Sequence, residues 1–324
     1  QNISMLFTNG VYQIYAATFP SNLTIHGMSS SVLVNNGGSN VEGYSIYGPV
    51  ENMNFDRQGR TFDLDHIAIG TNARFRKNKV YGTQGKASSK LNTSIVSVRN
   101  AENWIVEDNT FDNLHQPSGN NFTGESASFL IINSTGGIFR RNKTYTGTAM
   151  PGGNVLFSAY ITSNVHVYEN EFFRTGFYVL MLNETNYGFE YRDNLVVETG
   201  GGEGARAIMS IGSEDDVAIA GGTGFSTGTI RITGNTLLMN SNITTPIFGE
   251  EGAATTSNPV YGLILEDNTV VCYGANSYTF ATLNSDFNRT IISGNKVYGC
   301  PTMITDSGTG TQKYNNFRNG VSSN

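Results

Sequence analysis

The sequence predicts an all-β protein: a single-stranded right-handed parallel β-helix, a solenoid of about ten turns. A short phrase centred on an asparagine recurs along the chain at steps of 21 to 41 residues. Apolar residues alternate on either side of each asparagine, and no segment sustains the periodicity of a helix. Self-similarity at this spacing indicates a solenoid. The recurring asparagines are Asn78, Asn109, Asn142, Asn170, Asn194, Asn235, Asn268, Asn295 and Asn316.

Each phrase predicts two strands joined at a bend. Val165 and Val167 alternate before Asn170, which is the pattern of a strand with one buried face. An apolar residue two positions after the asparagine, such as Phe172, begins the next strand. Asparagine tolerates left-handed backbone, and its amide can bond a neighbouring turn. We therefore expect stacked asparagines to form a ladder that satisfies polar groups at a buried bend.

A second asparagine register precedes the first in several repeats. It reads FLIIN to Asn133, YITSN to Asn164, VLMLN to Asn183 and FATLN to Asn284. Each repeat therefore carries three short strands, two marked bends and a variable loop. A leucine-rich repeat is disfavoured because its consensus is missing, and a propeller would need four strands per repeat and a more even period.

Composition agrees with one long β solenoid. Only 14% of the 324 residues are charged, and 38 are glycine. Solenoids grow by adding turns, so we expect a single domain over 1–324, with an entry turn at 1–40 and repeated turns at 41–320. Flanking domains are expected outside this sequence. The net charge of −6, without a basic stripe or a long apolar run, argues against nucleic acid or a membrane as partner.

Two cysteines, Cys272 and Cys300, follow their repeat asparagines on successive turns. We expect buried free thiols, with a disulfide as the alternative.

The entry segment resembles the first turn of the pectate-lyase-like β-helix superfamily. There a Gly-x-Tyr phrase, here Gly10 to Tyr12, precedes a strand and an x-Leu-x-Ile-x-Gly phrase, here Leu23 to Gly27. Within that superfamily, the variable loops and low charge look most like the central domain of a bacteriophage tailspike. That resemblance implies a homotrimer that binds or cleaves bacterial surface polysaccharide. The calcium-binding acidic cluster of pectate lyases is not recognisable, so no catalytic residue is transferred.

Two outer faces are predicted to differ in character. The strand before the asparagine ladder carries charged and aromatic side chains outwards, which predicts either a salt-bridged face or a sugar-binding face. Its candidate binding residues are His166, Tyr168, Arg192 and Arg231. The strand before the other register is apolar at positions assigned to its outer side, which predicts a covering loop or the contact of a homotrimer. Its residues are Phe129, Ile131, Val179, Met181 and Phe280.

The variable loops fall on one edge and predict a groove for a polymer. Glycosidic hydrolysis usually takes two carboxyl groups. The catalytic candidates are Asp112, Glu198, Glu203 and Glu250, and further binding candidates are Arg174, Arg206 and His115. A lyase would instead use a base such as a His or Tyr beside a cation. No known metal motif matches, and neither a metal nor a cofactor is expected.

We therefore expect a tailspike-like protein that binds and depolymerises a capsule or O-antigen, with glycosidase favoured over lyase, and that acts from a virion tail. The alternatives are a non-catalytic adhesin or receptor-binding spike, and a polysaccharide lyase secreted by a free-living bacterium.

Overall fold

A computed structural model of the protein describes residues 2–35, 43–62, 65–86, 94–112, 126–145, 154–173, 178–197, 207–211, 227–239, 246–249, 259–273 and 279–322. These residues form three long sheets, named A, B and C, and contain no helix that could cross a membrane.

The chain visits the sheets in the order A, B, C on nearly every turn. Sheet A holds β1 (Ile3–Phe7), β4 (Leu23–Gly27), β7 (Pro49–Glu51), β10 (Arg74–Arg76), β13 (Ile105–Glu107), β16 (Ile138–Arg140), β19 (His166–Tyr168), β22 (Glu190–Arg192), β26 (Arg231–Thr233), β30 (Ile264–Glu266), β34 (Ile291–Ser293) and β37 (Gln312–Tyr314).

Sheet B follows sheet A in each turn. It holds β2 (Gly10–Gln13), β5 (Ser31–Val34), β8 (Asn54–Phe62), β11 (Lys79–Lys86), β14 (Thr110–Asp112), β17 (Lys143–Tyr145), β20 (Glu171–Phe173), β23 (Leu195–Val197), β27 (Thr236–Met239), β31 (Thr269–Cys272), β35 (Lys296–Tyr298), β38 (Phe317–Arg318) and β39 (Val321–Ser322).

Sheet C completes the turn. Its main path holds β3 (Ala17–Phe19), β6 (Tyr44–Ile46), β9 (Ile67–Ile69), β12 (Ser94–Arg99), β15 (Ser126–Thr135), β18 (Asn154–Ser163), β21 (Tyr178–Tyr187), β24 (Met209–Ile211), β28 (Phe248–Gly249), β32 (Thr279–Leu283) and β36 (Thr302–Asp306). Beside this path lie β25 (Thr227–Gly228), β29 (Val260–Tyr261) and β33 (Phe287–Asn288).

Each strand pairs in parallel with its equivalent on the next turn, except that β38 and β39 are antiparallel. The predicted right-handed parallel β-helix is confirmed. Within the described residues, sheet A has 12 strands rather than about ten, because β1, β4 and β7 precede the first asparagine phrase.

The predicted asparagine ladder is continuous. Each asparagine from Asn78 to Asn295 donates its backbone N–H to the side-chain oxygen of the next one, over 2.9 to 3.2 Å. Its amide nitrogen in turn donates to a backbone carbonyl, as Asn194 does to Val167 at 3.0 Å. All nine asparagines are at most 2% exposed, so the ladder satisfies polar groups at a buried bend.

The left-handed residue at this bend is the one before the asparagine, which differs from the expectation. Asp108 has φ 58° and Glu169 has φ 58°, whereas Asn109 and Asn170 have ordinary values. The asparagine side chain has to point along the solenoid axis to reach its copy, so its neighbour makes the sharp turn. Glycine takes that place before Asn235 and before Asn295.

The predicted outward placement of the apolar strand is wrong. Phe129, Ile131, Val179 and Phe280 belong to the internal core, with exposed fractions of 0 to 2%. The ring of Phe129 packs against Phe111, Phe139 and Phe157 across the inside of the solenoid. Met181 is also buried, at 2%. The sequence alternation misassigned the faces because β15 and β21 are buried on both sides, which removes the period-two signal.

The expectation of free thiols is also wrong. Cys272 and Cys300 form a disulfide between neighbouring turns, with their Cα atoms 6.0 Å apart. Cys272 ends β31 and Cys300 lies two residues after the end of β35, and parallel pairing of these two strands brings the successive turns together.

Candidate functional site

The candidate site lies on the outer face of sheet A, where β16, β19 and β22 run side by side. Their central residues Phe139, Val167 and Tyr191 point inwards and are buried. Because side chains alternate along a strand, the first and third residues of each strand point outwards. Sequence reasoning had placed those residues on the outer face, and the register confirms it.

Tyr168 sits between two guanidinium groups. Arg140 and Arg192 occupy the same register position on the turns before and after it. The Cζ of Arg192 lies 4.1 Å from the centre of the Tyr168 ring, and that of Arg140 lies 5.9 Å from it. Nη1 of Arg140 also donates to the Tyr168 hydroxyl at 2.9 Å. These contacts fix an aromatic ring and two cations on a flat surface.

Glu107 holds the neighbouring cations in place. Its Oε2 accepts from Nε of Arg140 at 2.8 Å and from Nη2 of Arg141 at 2.9 Å. The hydrogen bond to Glu107 raises the pKa of Arg140. Arg141 also donates to Asp108, and that hydrogen bond lowers the pKa of the Asp108 carboxyl. Both arginines therefore keep their charge, and their orientation is set by protein carboxylates.

His166 and Glu190 form a second pair beside the ring. Nδ1 of His166 lies 2.8 Å from Oε2 of Glu190, on adjacent turns. Nε of Arg192 lies 3.7 Å from that same oxygen, and Nη1 of Arg192 lies 2.8 Å from Asp193. Side-chain exposures of 30 to 38% for His166, Glu190 and Arg192 leave all three open to a ligand.

We name Arg140, His166, Tyr168, Glu190 and Arg192 the central patch. It combines an aromatic ring, two guanidinium groups, an imidazole and a carboxylate on three neighbouring turns. A ring offers an apolar surface to the C–H face of a sugar, and guanidinium groups donate to hydroxyls or bind carboxylates. The patch therefore suits carbohydrate binding.

Glu107 and Glu190, the two carboxylates on either side of Tyr168, do not have the spacing of a hydrolytic pair. Glu107 and Glu190 lie on β13 and β22, three strands apart. At about 4.8 Å per strand they are about 14 Å apart, beyond the roughly 5–9.5 Å of glycosidase carboxyl pairs.

The other described candidates lie in two places. Arg231 is exposed on β26, in register with Glu190, and so extends the same face. Asp112 ends β14 in sheet B, where its Oδ2 lies 3.0 Å from Nζ of Lys79. Three strands, or about 14 Å, separate Asp112 from Val197, the residue that directly precedes Glu198. Asp112 lies in sheet B, whereas the central patch lies in sheet A, so the two do not meet.

Six candidates lie outside the described residues: Glu198, Glu203, Glu250, Arg174, Arg206 and His115. Phe173 and Val197, which directly precede Arg174 and Glu198, are paired across β20 and β23.

Sequence reasoning missed a cavity of about 340 Å³ at the bend between sheets C and A. Its lining includes Glu102, Asn133, Ile161 and Tyr187. The predicted second asparagine register is wrong as a set of equivalent positions, because Asn133 is aligned with Ile161 and Asn183 with Tyr160. Nothing in the sequence signalled a cavity at this bend. Across the described ranges, no group of three or more His, Cys, Asp or Glu residues is arranged to hold a metal ion.

Solved structures with the same fold include tailspikes. The chain superposes on the tailspike of Escherichia coli bacteriophage HK620 in complex with a pentasaccharide, with a TM-score of 0.63 and 10% identity, over 97% of this chain and 59% of that one. A mutant of the same tailspike, also with a pentasaccharide, gives a TM-score of 0.62, 11% identity and coverages of 98% and 60%. This chain thus spans about three fifths of the tailspike's length.

A bacterial surface protein shares the architecture as well. The adhesin PfbA of Streptococcus pneumoniae superposes with a TM-score of 0.51 and 12% identity, over 97% of this chain and 91% of that one. No protein-family model matches the chain, and no curated protein matches it in sequence. At these identities the likeness concerns the fold alone.

Proposed function

We propose that this protein binds a bacterial surface polysaccharide along the outer face of sheet A and depolymerises it, as a tailspike-like protein. The observation that supports the proposal is the placement of Tyr168 between Arg140 and Arg192. Cations held by protein carboxylates beside a half-buried ring are preorganised for a ligand, which reduces the ordering that binding requires.

The polymer lies along the solenoid axis in this proposal. Outward residues of successive turns are about 4.8 Å apart, so a sugar chain meets a new set of side chains at each turn. Arg231 extends the face beyond the central patch in one direction, and Arg76 on β10 extends it in the other.

Cleavage is proposed to be hydrolytic and to use Glu198 and Glu203 as the carboxyl pair, with Glu250 as a further candidate and Arg174, Arg206 and His115 as binding residues. E198Q and E203Q should each slow cleavage by about 100-fold or more if they act as acid and base. Full activity in both variants would show that neither Glu198 nor Glu203 is the catalytic acid or base. If the product carries an unsaturated uronate, the enzyme is a lyase, and His166 or Tyr168 becomes the candidate base.

A non-catalytic adhesin or receptor-binding spike is the second candidate. It is favoured by the ion pairs that occupy Glu107 and Glu190 and by the distance of about 14 Å between their strands. A lyase secreted by a free-living bacterium is the remaining alternative.

As a tailspike-like protein, it is proposed to act at the virion tail and to assemble as a homotrimer. The buried apolar strand no longer supports the trimer, so that assembly rests on the tailspike likeness. Sedimentation equilibrium tests it directly, and a stable monomer would contradict it.

The deciding experiment is an assay of polymer length. Purified capsular and O-antigen polysaccharides are incubated with the protein and analysed by size-exclusion chromatography. Shortening of one polymer supports the depolymerase. Retention of a polymer on immobilised protein without shortening supports the adhesin. Neither retention nor shortening of any polymer contradicts both.

A further inference from the structure

The cavity at the bend between sheets C and A differs in chemistry from the central patch. Its side chains are amides and hydroxyls, with one carboxylate, one aromatic ring and one aliphatic chain: Glu102, Asn133, Thr135, Ile161, Ser163 and Tyr187 belong to it. Among the residues that the structure describes, no cationic side chain lines it. Its volume of about 340 Å³ is within the range of small-molecule sites.

The polar lining is already ordered by the protein. The hydroxyls of Thr135 and Ser163 lie 2.6 Å apart on neighbouring turns, and Thr162 donates to the amide oxygen of Asn186 at 2.6 Å. Nδ2 of Asn133 donates to Oδ1 of Asn100 at 2.7 Å. Fixed hydroxyls and amides of this kind can each exchange one more hydrogen bond with a polyol.

An aromatic ring and a strained aliphatic residue complete the cavity. Tyr187 is 46% exposed, so its ring can meet the C–H face of a sugar. Ile161 has φ 49°, in a region that β-branched residues rarely adopt. Backbone strain of this type persists where the surrounding structure enforces it, and it clusters at ligand sites.

The cavity adjoins the central patch. Ser163 precedes His166 by three residues, and Tyr187 precedes Glu190 by three residues. Three extended residues span about 10 Å. A ligand that occupies the patch can therefore reach the cavity around the bend.

We propose that this cavity is a subsite for a neutral sugar unit. The unit would stack on Tyr187 and bond to Asn133, Thr135 and Ser163, whereas Glu102 would repel an anionic sugar. This inference rests on the proposed polysaccharide function. It adds that the polymer carries a neutral unit next to the unit held by the central patch.

The test measures saturation transfer by NMR to glucose, galactose and N-acetylglucosamine, with glucuronate as the acidic probe. At least one neutral sugar is expected to give a signal and glucuronate a weaker one. Y187S should lower the neutral signal by about tenfold, because the stacking surface is removed.

Tyr261 supplies a matched control. Parallel pairing aligns Tyr187 with Gly228 on the next turn, and Gly228 with Tyr261 on the turn after that. Tyr261 is 49% exposed and is not part of the cavity lining. Y261S should retain the neutral signal. Equal signals in Y187S and Y261S, a stronger signal from glucuronate, or no signal from any neutral sugar would overturn the inference. Melting temperatures of both variants separate a local effect from unfolding.

The two proposals fail separately. If the wild-type protein retains no polysaccharide but still shows Tyr187-dependent signals from a neutral sugar, only the proposed function fails. If polymer binding depends on Arg192 and is unaffected by Y187S, only the subsite fails.

Discussion

The guanidinium group of Arg192 lies 4.1 Å from the centre of the Tyr168 ring on the preceding turn. The same guanidinium group is paired with Asp193 at 2.8 Å. The ring is therefore covered on one side by a cation whose position is set by its own neighbour. The sheet and its ion pairs therefore fix the positions of the charged and aromatic groups on its outer surface.

Replacing Arg192 by alanine should weaken polysaccharide binding by about tenfold or more, because a cation–π partner and several hydrogen-bond donors are lost together. Arg192→Lys should recover only part of the affinity, since an ammonium group lacks the planar donor array. Affinity measured by biolayer interferometry on immobilised polymer tests this.

Lys143 provides the control for Arg192. It is an exposed cation in sheet B, paired with Glu171 at 2.9 Å. Lys143→Ala removes one positive charge from the same turns without touching the central patch. Similar losses in both variants would indicate a general charge effect and contradict the assignment of the patch.

Replacing Asn194 by alanine should lower the free energy of unfolding by about 2–5 kcal/mol. Its side-chain oxygen accepts from the backbone N–H of Asn170, and its amide donates to the Val167 carbonyl. The backbone N–H of Asn170 would lose this acceptor, and the Val167 carbonyl would lose this donor, both at a buried bend. Urea denaturation followed by circular dichroism measures the change.

Asn164→Gly is the matched change at an exposed bend. Asn164 has φ 53°, which glycine adopts without strain, so its effect should stay within about 0.5 kcal/mol. If Asn194→Ala cost no more than Asn164→Gly, the ladder would not be a main source of stability.

The spacing of the asparagine phrase was sufficient to predict the solenoid, the ladder and the outward row that contains His166 and Tyr168. These features depend on side-chain alternation and on like residues stacking, which one sequence displays. The faces of sheet C could not be predicted from alternation, because Leu130 and Ile131 are both buried. The cavity around Ile161 was missed because a left-handed β-branched residue leaves no pattern in a sequence.

Replacing Ile161 by asparagine should raise the free energy of unfolding by about 1 kcal/mol, because it relieves backbone strain. Asn100 and Asn133 occupy the equivalent place on the two preceding turns, with φ 50° and 47°. An asparagine at position 161 would extend their side-chain hydrogen bond by one turn. Thermal denaturation tests the gain.

Ile138→Asn is the comparison for Ile161. Ile138 is a half-buried strand residue in sheet A with an ordinary φ, so the same change should be destabilising there. Destabilisation of the two variants by equal amounts would argue that the apolar side chain at position 161 outweighs its strain.

His66 should make the protein less stable as pH falls below neutrality. Its side chain is buried, and among the described residues neither ring nitrogen has a hydrogen-bond partner. Burial is the main cause that lowers the pKa of His66 to about 3, from 6.5, and Arg57 adds to it. The unfolded chain takes up a proton near pH 6.5, whereas the folded protein does not until near pH 3. The stability that is present above pH 6.5 is therefore lost progressively between those values.

The expected loss from this group between pH 7 and pH 5 is about 2 kcal/mol, measured by urea denaturation at each pH. His66→Phe keeps the ring volume and removes the titration, so its stability should fall less over the same interval. His166→Gln, at an exposed histidine, should retain the wild-type slope that His66 causes. An equal slope in His66→Phe and in the wild type would show that His66 is protonated in the folded protein or reaches solvent, and the assignment would be wrong.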